Sequence, residues 1–527
     1  MKKFSAKLAA TSISLLLLLP FGCKNSSDEP ASKQETSPPA TVQAQKTEAN
    51  VPAPPPVEYP VECSSNTCKV TTITEKAIAT LKAQKDQEKL IVKFREGATD
   101  DNFATIVNFP EIRAVSIAST KITDLSPLKK LKDLKSLTLS QSSVKDLSPL
   151  AGLTSLEEIE MRSLKGKEAD GKATVIDLAP LSEMVNLTVL KAYGTHVKNE
   201  SALAKSTKMV ELDFYMSEIK EISFVKNMPD LEVLDLYADK LVTDLSPLTG
   251  LKKLRDLNLY MTRATDLSVL NTLPALEKVW IQFSTVKDLS FLQNAHNLRE
   301  LAANWCKDLT DISALAGKDR LKDLGLDDTK VADLRPLQGL KSLERLNLGG
   351  TAVTEISPVA GLVALKYLDM GEVKVTDLSP LKGLIALNTL ELSKSTARDL
   401  TPLQNLANLK TLKLSTTQVE DIAPLAGLVN LTELDLQKTA VKDFNALSAL
   451  KSLRYLDLAE TQVKNLDFAA QMPELYKIDV SKTPVDNLQG LYNLPKINGV
   501  TVSKTVSEGK ITELKSKQPK VTVTVVE

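Results

Sequence analysis

The sequence predicts an α/β solenoid, with a curved sheet of parallel strands on the concave face and short helical turns on the convex face. Three observations support this fold class. A leucine phrase returns at a fixed interval along most of the chain, each phrase alternates apolar and polar positions as a strand does, and Pro and Gly punctuate the segment that follows. A short, constant period indicates stacked repeats around one continuous core, and stacked repeats form an extended surface in place of an enclosed pocket.

The repeats extend over residues 112–502, and most steps between them equal the step from Leu343 to Leu365. The steps to Leu254 and Leu321 are one residue longer. The step to Leu187 is longer still, because of a charged, glycine-bearing insertion within 163–174 that is expected to be an exposed loop. The repeats open at Ile112, Leu134, Leu156, Leu187, Met209, Leu231, Leu254, Leu276, Leu298, Leu321, Leu343, Leu365, Leu387, Leu409, Leu431, Leu453, Leu475 and Ile497.

Each phrase predicts one short strand. In the repeat that opens at Leu409, Leu412 and Leu414 alternate inward, while Thr411 and Lys413 face solvent. Eight residues after each opening residue the sequence returns to a small polar residue such as Thr417, and Cys306 occupies this place in its repeat. We therefore expect Cys306 to be a buried structural thiol.

The segment after each strand predicts a short helical turn. Ser-Pro pairs place Ser at the N-cap and Pro at the first helical position, and glycine ends several turns where a left-handed residue is expected. The pairs begin at Ser126, Ser148, Ser246, Ser357 and Ser379, and the glycines are Gly152, Gly250, Gly339, Gly361, Gly383 and Gly427.

Both ends of the solenoid need a cap, because an open end would expose core leucines. Residues 61–111 are interpreted as the N-terminal cap, with a capping box at 72–75 that opens a helix and a strand at 90–94. Residues 503–527 are interpreted as the C-terminal cap, with a helix at 511–517 and a strand at 521–525.

The phrase T-x-V-x-D-L-S-P-L-x-G-L resembles the leucine-rich repeat of bacterial internalins and their relatives, over roughly residues 112–502. This resemblance implies a leucine-rich repeat protein that binds a protein partner along its concave sheet. The chain shows no LPxTG wall-sorting signal, and we expect no immunoglobulin-like domain after the repeats. The resemblance therefore implies the binding architecture and not an invasin role.

The N-terminal segment predicts export. Residues 1–22 combine a lysine-bearing start with an apolar run from Leu8 to Leu19, which is short for a membrane span. They resemble a bacterial lipoprotein signal, in which Cys23 becomes the lipidated first residue, although Pro20 stands where that signal has an aliphatic residue. Ordinary secretion with cleavage nearby is the alternative.

Residues 23–60 are rich in Pro, Ser and Thr and are interpreted as a disordered tether. We expect a lipid-anchored protein of the bacterial cell envelope, attached to a membrane through its N-terminal lipid. The outer membrane or cell surface is favoured, because Lys24 and not an acidic residue follows the cysteine. In an exported protein the close pair Cys63 and Cys68 indicates a local disulfide, with two free thiols as the alternative.

Composition argues against several function classes. Lys plus Arg and Asp plus Glu both number 66, so the balanced charge gives no support to a nucleic-acid partner. The two histidines, His196 and His296, lack the spacing of a metal site. The sequence contains no G-x-S-x-G, P-loop or H-E-x-x-H motif. We expect a monomer with no enzymatic activity and no cofactor.

Aromatic residues recur at outward positions of consecutive repeats. Because neighbouring strands lie about 4.8 Å apart, they should form a cluster on the concave face, interspersed with polar side chains. The aromatic residues are Tyr193, Tyr215, Tyr237, Tyr260, Trp280, Phe283 and Trp305, and the polar residues are Glu211, Asp213, Asp235, Asp256 and Asn258. Such a mixture is typical of an interface hot spot, so we predict a protein or peptide partner, with basic or amine-bearing chemistry favoured.

Three other interpretations remain open. In the first, the tyrosines only stack and stabilise the sheet of a structural envelope protein without a tight ligand. In the second, the aromatic surface binds a glycan. The third concerns another outward run, Asp435, Asp457 and Asp479, which indicates a solvated polar face, with calcium binding as a minor alternative.

Overall fold

A computed structural model describes residues 61–64, 67–84, 90–164 and 173–527. The predicted signal peptide, the tether, the lipidation site Cys23 and most of the 163–174 insertion lie outside these residues. Among the described residues three α-helices occur, α1 Glu75–Lys82, α2 Asp100–Ala104 and α3 Glu508–Lys517. No helix in these ranges is long and apolar enough to span a bilayer.

Within the described ranges, one sheet of 22 strands extends along the repeats, and its strands follow one another in chain order. The first pair, β1 and β2, is antiparallel and every later pair is parallel. The strands of this sheet are β1 Glu62–Ser64, β2 Thr67–Val70, β3 Ile91–Phe94, β4 Ala114–Ser116, β5 Ser136–Thr138, β6 Glu158–Glu160, β8 Val189–Lys191, β10 Glu211–Asp213, β11 Val233–Asp235, β12 Asp256–Asn258, β13 Lys278–Trp280, β14 Glu300–Ala302, β15 Asp323–Gly325, β16 Arg345–Asn347, β17 Tyr367–Asp369, β18 Thr389–Glu391, β19 Thr411–Lys413, β20 Glu433–Asp435, β21 Tyr455–Asp457, β22 Lys477–Val480, β23 Gly499–Ser503 and β24 Thr522–Val526. A separate pair, β7 Ile176–Asp177 and β9 Val197–Lys198, forms a small second sheet.

The register places equivalent residues of successive repeats opposite each other. Asp213 pairs with Asp235, and Leu212 pairs with Leu234. The inward leucines are fully buried, as at Leu412 and Leu414. Thr411 is partly exposed, as the alternation predicted. One continuous apolar core therefore extends from the N-terminal cap to the C-terminal cap.

The convex turns are 3₁₀ turns, and their caps differ from the prediction. Ser148 begins its turn with Pro149 next to it, but the capping acceptor is Asp146, whose Oδ1 accepts the Ser148 N–H at 2.7 Å. The aspartate of the repeat phrase therefore caps the turn, and the Ser N-cap assignment was wrong. The turns are Thr105–Asn108, Ser126–Lys130, Ser148–Leu150, Ala179–Leu181, Glu200–Lys205, Ser223–Asn227, Ser246–Leu248, Ser268–Thr272, Ser290–Leu292, Ser313–Leu315, Arg335–Leu337, Ser357–Gly361, Ser379–Gly383, Thr401–Leu403, Ala423–Gly427, Asn445–Ala449, Asp467–Gln471 and Gln489–Leu491.

The glycines that follow these turns also fall into two groups. Gly152, Gly250 and Gly339 have φ of +82°, +86° and +88° and are left-handed, as predicted. The other three, Gly361, Gly383 and Gly427, are the last residues of longer 3₁₀ turns and do not have a positive φ. In these longer turns glycine extends the turn and does not terminate it through a left-handed backbone.

The caps contain the predicted elements. The first helix, α1, is capped by Thr74, which accepts the Ala77 N–H at 3.2 Å, so the expected capping box from Thr72 does not form. Cys63 and Cys68 face each other across β1 and β2 and are joined in a disulfide, as predicted. At the other end, α3 begins three residues earlier than expected and β24 pairs with β23.

The place eight residues after each repeat opening lies in the core. Thr417 is buried and its hydroxyl donates to the Leu414 carbonyl at 2.6 Å. Cys306 is a free, fully buried thiol whose sulfur lies 3.2 Å from the Ile281 carbonyl, as expected of a structural residue. Burial raises the pKa of this thiol, which disfavours the reactive thiolate.

Candidate partner-binding surface

A left-handed residue follows the strand in each repeat, seven positions after the opening residue. This holds in each repeat from the one opening at Ile112 to the one opening at Leu475. Gly194 and Gly350 occupy this position in two repeats, and residues with side chains occupy it in the others. Because the backbone turns at the same point each time, the side chain just before it projects in the same direction in every repeat.

Four tyrosines occupy that preceding position and form a continuous stack, which we call the aromatic ladder. The ring centroids of Tyr193 and Tyr215 lie 4.3 Å apart, those of Tyr215 and Tyr237 lie 3.9 Å apart, and those of Tyr237 and Tyr260 lie 4.2 Å apart. All four rings are partly buried. The faces of Tyr215 and Tyr237 are covered on both sides, so these residues present ring edges and hydroxyl groups to solvent.

Phe283 and Trp305 continue the ladder and form what we call the aromatic tip. The Phe283 ring meets Tyr260 edge-on at 5.3 Å and stacks on Trp305 at 5.7 Å. Unlike the tyrosines, both tip residues are left-handed themselves, with φ of +64° and +63°, and both are 43% exposed. Every repeat up to the one opening at Leu475 is left-handed at this place, so the repeat sets the backbone, and the distinctive feature of the tip is the exposure of two large aromatic side chains.

Trp280 lies apart from this stack, at an earlier outward position of its strand. Its Nε1–H donates to Glu300 Oε1 at 2.9 Å, and the Lys278 ammonium lies 5.9 Å from its ring centroid. Trp280 is partly buried by these neighbours. The prediction grouped it with the other aromatics, but the structure shows it beside the ladder and not within it.

The predicted polar residues have structural partners of their own. Asp213 and Asp235 each accept the backbone N–H two residues ahead, at 3.1 and 2.9 Å, and Asn258 accepts the Tyr260 N–H at 3.0 Å. These bonds fix the strand ends from which Tyr215, Tyr237 and Tyr260 project. The first contribution of these side chains is therefore to orient the aromatic ladder.

Burial changes the pKa values of the polar side chains beside the aromatic ladder. It raises the pKa of Asp235 to about 7, and the charge of Asp213 adds to that shift. Burial also raises the pKa of the Asp213 carboxyl and raises that of the Tyr260 hydroxyl to about 12. Lys191 pairs with Glu211 at 2.8 Å, and Lys278 lies 3.5 Å from Asp256.

Comparison with solved structures identifies the fold. The ectodomain of the Arabidopsis thaliana receptor kinase GASSHO1/SCHENGEN3, crystallised with CASPARIAN STRIP INTEGRITY FACTOR 2, superposes with a TM-score of 0.64 at 16% identity, covering 84% of this chain and 59% of that chain. The chain of residues 61–527 therefore has a leucine-rich-repeat fold. The Drosophila Toll–Spatzle complex has a TM-score of 0.53 at 14% identity, covering 83% of this chain and 63% of that chain.

An internalin (inlF) of Listeria monocytogenes is 27% identical, with a TM-score of 0.49, covering 61% of this chain and 85% of that chain. No protein-family model matches the sequence, and no curated protein sequence matches it. The comparisons therefore establish the leucine-rich-repeat architecture, while the partner-binding residues rest on the geometry of the site.

A run of glycines directly beyond the aromatic tip was not predicted to be part of the site. There the outward positions carry glycines, and the Asp369 carboxylate lies close to where side chains at Gly349 and Gly371 would project. Asp328 lies beside Gly350 in the same way and accepts the Lys307 ammonium at 2.8 Å. Lys307 in turn lies 4.6 Å from the Trp305 ring centroid. The cluster of glycines in consecutive repeats was the available signal.

The concave face is acidic although the whole chain is neutral. Among outward positions from Val189 to Lys394, acidic side chains outnumber basic ones. The acidic residues are Glu211, Asp213, Asp235, Asp256, Glu300, Asp323, Asp327, Asp328, Asp369, Glu372 and Glu391, and the basic residues are Lys191, Lys278, Arg345 and Lys394.

The aspartates of the second acidic run accept backbone N–H groups in the same way as Asp213 and Asp235 do. Asp435, Asp457 and Asp479 each accept the N–H two residues ahead, at 2.9, 2.9 and 2.8 Å. Burial raises the pKa of Asp457 to about 6. Among the described residues, no group of three or more His, Cys, Asp or Glu side chains is arranged to hold a metal ion.

Proposed function

We propose that this chain is an exported, lipid-anchored leucine-rich repeat protein that binds a protein or peptide partner on its concave face. The binding site comprises the aromatic ladder, the aromatic tip and the acidic side chains between and beyond them. Phe283 and Trp305 are the observation on which the proposal rests. Stacking within the sheet accounts for four tyrosines, but the repeat does not require two large, exposed aromatic residues at a place that most other repeats fill with small or polar residues.

The charge of the surface favours a basic partner segment. Acidic side chains line the concave face on both sides of the tip, so a cationic segment would be attracted and a polyanion repelled. The Lys307 ammonium already lies between the Trp305 ring and the Asp328 carboxylate. A lysine or arginine of the partner would compete with Lys307 for these two groups.

The ladder geometry weighs against glycan binding as the main function. Sugar rings stack on exposed aromatic faces, whereas the faces of Tyr215 and Tyr237 are covered by their neighbours. Two proteins of similar fold have structures solved with CASPARIAN STRIP INTEGRITY FACTOR 2 and with Spatzle, which supports a binding role at the level of architecture alone.

The tip allows a test that separates binding from folding. Phe283→Asn and Trp305→Asn place a residue that tolerates a left-handed backbone at both positions. We expect the double variant to keep its thermal midpoint and to lose affinity by about 30-fold or more, as truncation of hot-spot aromatics does. Partners captured from envelope and host extracts by the wild-type chain would be purified and their affinity measured by calorimetry.

Thr416→Asn with Lys438→Asn is the matched control, because both residues are left-handed at the equivalent position in repeats beyond the acidic surface. This control should bind as the wild type does. Unchanged affinity of the tip variant for the purified partner would exclude the aromatic tip as the site. A variant that loses stability together with affinity would favour the sheet-stabilising alternative.

Export and lipidation require a separate measurement. Cys23 is the residue that the signal-like sequence marks for acylation. Metabolic labelling with a fatty-acid probe should disappear in Cys23→Ala and persist in a Cys306→Ser control. Labelling that survives Cys23→Ala would refute the lipoprotein assignment while leaving the partner site untouched.

A further inference from the structure

A row of exposed aliphatic side chains lies at the turn that precedes the strands, away from the concave face. It occupies the place just before the next repeat opens, two residues ahead of each opening leucine. Val363 is 54% exposed, Ile385 is 62% exposed and Val429 is 50% exposed, and Ala407 stands between the last two. We call these four residues the aliphatic row.

The local backbone fixes these side chains outward. In each turn the N–H of the row residue donates to the carbonyl two residues earlier, from Val363 to Gly361 at 3.0 Å and from Ile385 to Gly383 at 2.9 Å. The leucine just before each row residue is buried and fills the core position, as Leu384 does before Ile385. The row residues therefore have no apolar site within their own repeats.

Consecutive aliphatic residues at this place are particular to this part of the chain, whereas Val185, 43% exposed, stands alone at the same place before Leu187. In other repeats of the same length this place carries polar residues or proline. Those residues are Lys132, Thr154, Thr207, Pro229, Pro274, His296, Pro473 and Pro495. Repeat construction alone thus does not require an aliphatic side chain at this place.

Lysines border the row. Lys341 and Lys451 hold the same place in the repeats before and after it, so they close its two ends. Lys382 and Lys410 are exposed beside it. Within the part of the chain that the structure describes, Lys341, Lys382 and Lys410 have no ion-pair partner. The row is therefore an apolar strip with uncompensated positive charge around it.

We infer that the aliphatic row and its lysines form a contact surface for a lipid bilayer with anionic headgroups. Shallow insertion of aliphatic side chains combined with lysines near the headgroups is the chemistry of peripheral membrane binding. The charge complementarity selects anionic over zwitterionic lipid. The aliphatic row lies outside the strand positions of the concave partner site, although Lys410 lines a groove with Arg345 at the edge of that face. The inference does not depend on the partner site.

A protein partner or a second copy of the chain fits this surface less well. Four residues at about 4.8 Å spacing form a strip that is only roughly 15 Å long. The area of such a strip is far smaller than the about 800 Å² per partner that a stable interface buries. The row itself contains no Trp, Tyr or Arg, which dominate protein hot spots. A bilayer needs no shape complementarity, and weak attachment suffices when a second membrane anchor is present.

Vesicle sedimentation tests the inference with the full chain. The wild type should bind phosphatidylcholine vesicles that contain phosphatidylglycerol, and binding should fall as salt is raised. Val363→Ser, Ile385→Ser and Val429→Ser combined should lower the partition coefficient by about tenfold. Since all three side chains are exposed, the thermal midpoint should not change.

Two triple lysine variants with the same change in net charge separate a local effect of the lysines from an effect of net charge. Lys341→Gln, Lys382→Gln and Lys410→Gln combined should weaken binding to the anionic vesicles. Lys240→Gln, Lys374→Gln and Lys464→Gln remove three exposed lysines elsewhere and should have no such effect. Every variant retains residues 1–60, so their contribution cancels in each comparison.

Equal binding by the wild type and the serine variant would overturn the inference. So would equal loss in both lysine variants, since only net charge would then matter. Analytical ultracentrifugation decides about a second copy. Self-association that the serine variant abolishes, without any vesicle binding by the wild type, would assign the row to a dimer interface and reject the bilayer.

Discussion

Tyr215 and Tyr237 stack with their ring centroids 3.9 Å apart and their planes 6° from parallel. This distance is shorter than the roughly 4.8 Å between neighbouring strands. Side chains on the inner face of a curved sheet converge, so the curvature itself brings the rings into contact. Sheet curvature and ring stacking therefore support each other in this part of the solenoid.

The stack predicts a position-dependent loss of stability. Tyr237 contacts a tyrosine on both faces, whereas Tyr193 stacks on one, so Tyr237→Ala should cost more than Tyr193→Ala. The difference should be roughly 1 kcal/mol, the contribution of one aromatic pair beyond its buried area. Urea unfolding followed by circular dichroism measures both variants, and equal costs would contradict a stabilising stack.

The aspartate caps of the convex turns predict a second ordering. Asp146→Ala removes the acceptor for the Ser148 N–H and should cost about 1 kcal/mol, while Ser148→Ala retains that bond and should cost less. The Ser148 hydroxyl and N–H lower the pKa of Asp146. Its contribution is thus present above the unfolded pKa and is lost as pH falls through the folded pKa.

Thermal unfolding of both variants at neutral pH and in acid tests this assignment. The gap between Asp146→Ala and the wild type should close in acid. If Ser148→Ala were the more damaging substitution at neutral pH, serine would be the cap after all.

The repeat architecture was predictable because every copy repeats the same apolar pattern. The alternation at Leu412 and Leu414, the alignment of the four tyrosines and the burial of Cys306 all follow from adding fixed offsets to the opening leucines. The prediction of the turn caps was wrong because two residues of each repeat phrase could accept the same backbone N–H. Asp146 and Ser148 both suit a turn cap, and only the folded structure shows which side chain reaches the N–H.

The candidate site was predictable in membership and less so in geometry. Offsets alone do not reveal that Phe283 and Trp305 are left-handed, because that depends on how the strand end bonds to the next repeat. They also do not reveal that Asp213 and Asp235 cap their own strands. Burial raises the pKa of Asp235, and the extent of burial depends on distances to neighbouring side chains that the sequence does not give.

The disulfide predicts a local effect at the N-terminal cap. Cys63→Ser with Cys68→Ser opens a short loop, so the loss should not exceed about 2 kcal/mol. Because β2 pairs with β3, fraying should begin in the cap and leave the distant repeats intact. Limited proteolysis with mass spectrometry should show faster cleavage near β1 and β2 in the variant. Equal acceleration throughout the repeats would mean that the cap and the repeats unfold together.

Asp239 predicts an unusual dependence of stability on pH. It is fully buried at the place that other repeats fill with residues such as Thr417. Its Oδ1 accepts the Ser217 N–H at 3.1 Å, while its Oδ2 has no hydrogen-bond partner in the described structure. Burial raises its pKa to about 8, so the folded protein favours the neutral acid.

A raised pKa fixes the sign of this effect. The stabilising contribution of the Asp239 proton is complete below the unfolded pKa of about 3.9, and it is lost as pH rises through the folded pKa near 8. Asp239→Asn removes the ionisable group and retains its shape. The variant should therefore gain stability relative to the wild type between about pH 5 and about pH 8.

Urea unfolding at these two pH values measures the difference between variant and wild type, which cancels the titration of every other carboxylate. Asp319→Asn, at an exposed position, is the control and should differ equally little from the wild type at both values. If Asp239→Asn changed stability by the same amount at both, the buried carboxyl would be ionised in the folded protein throughout this interval, as it is in the unfolded chain. Its folded pKa would then lie below about 5, and water or rearranged neighbours would have to solvate the charged group.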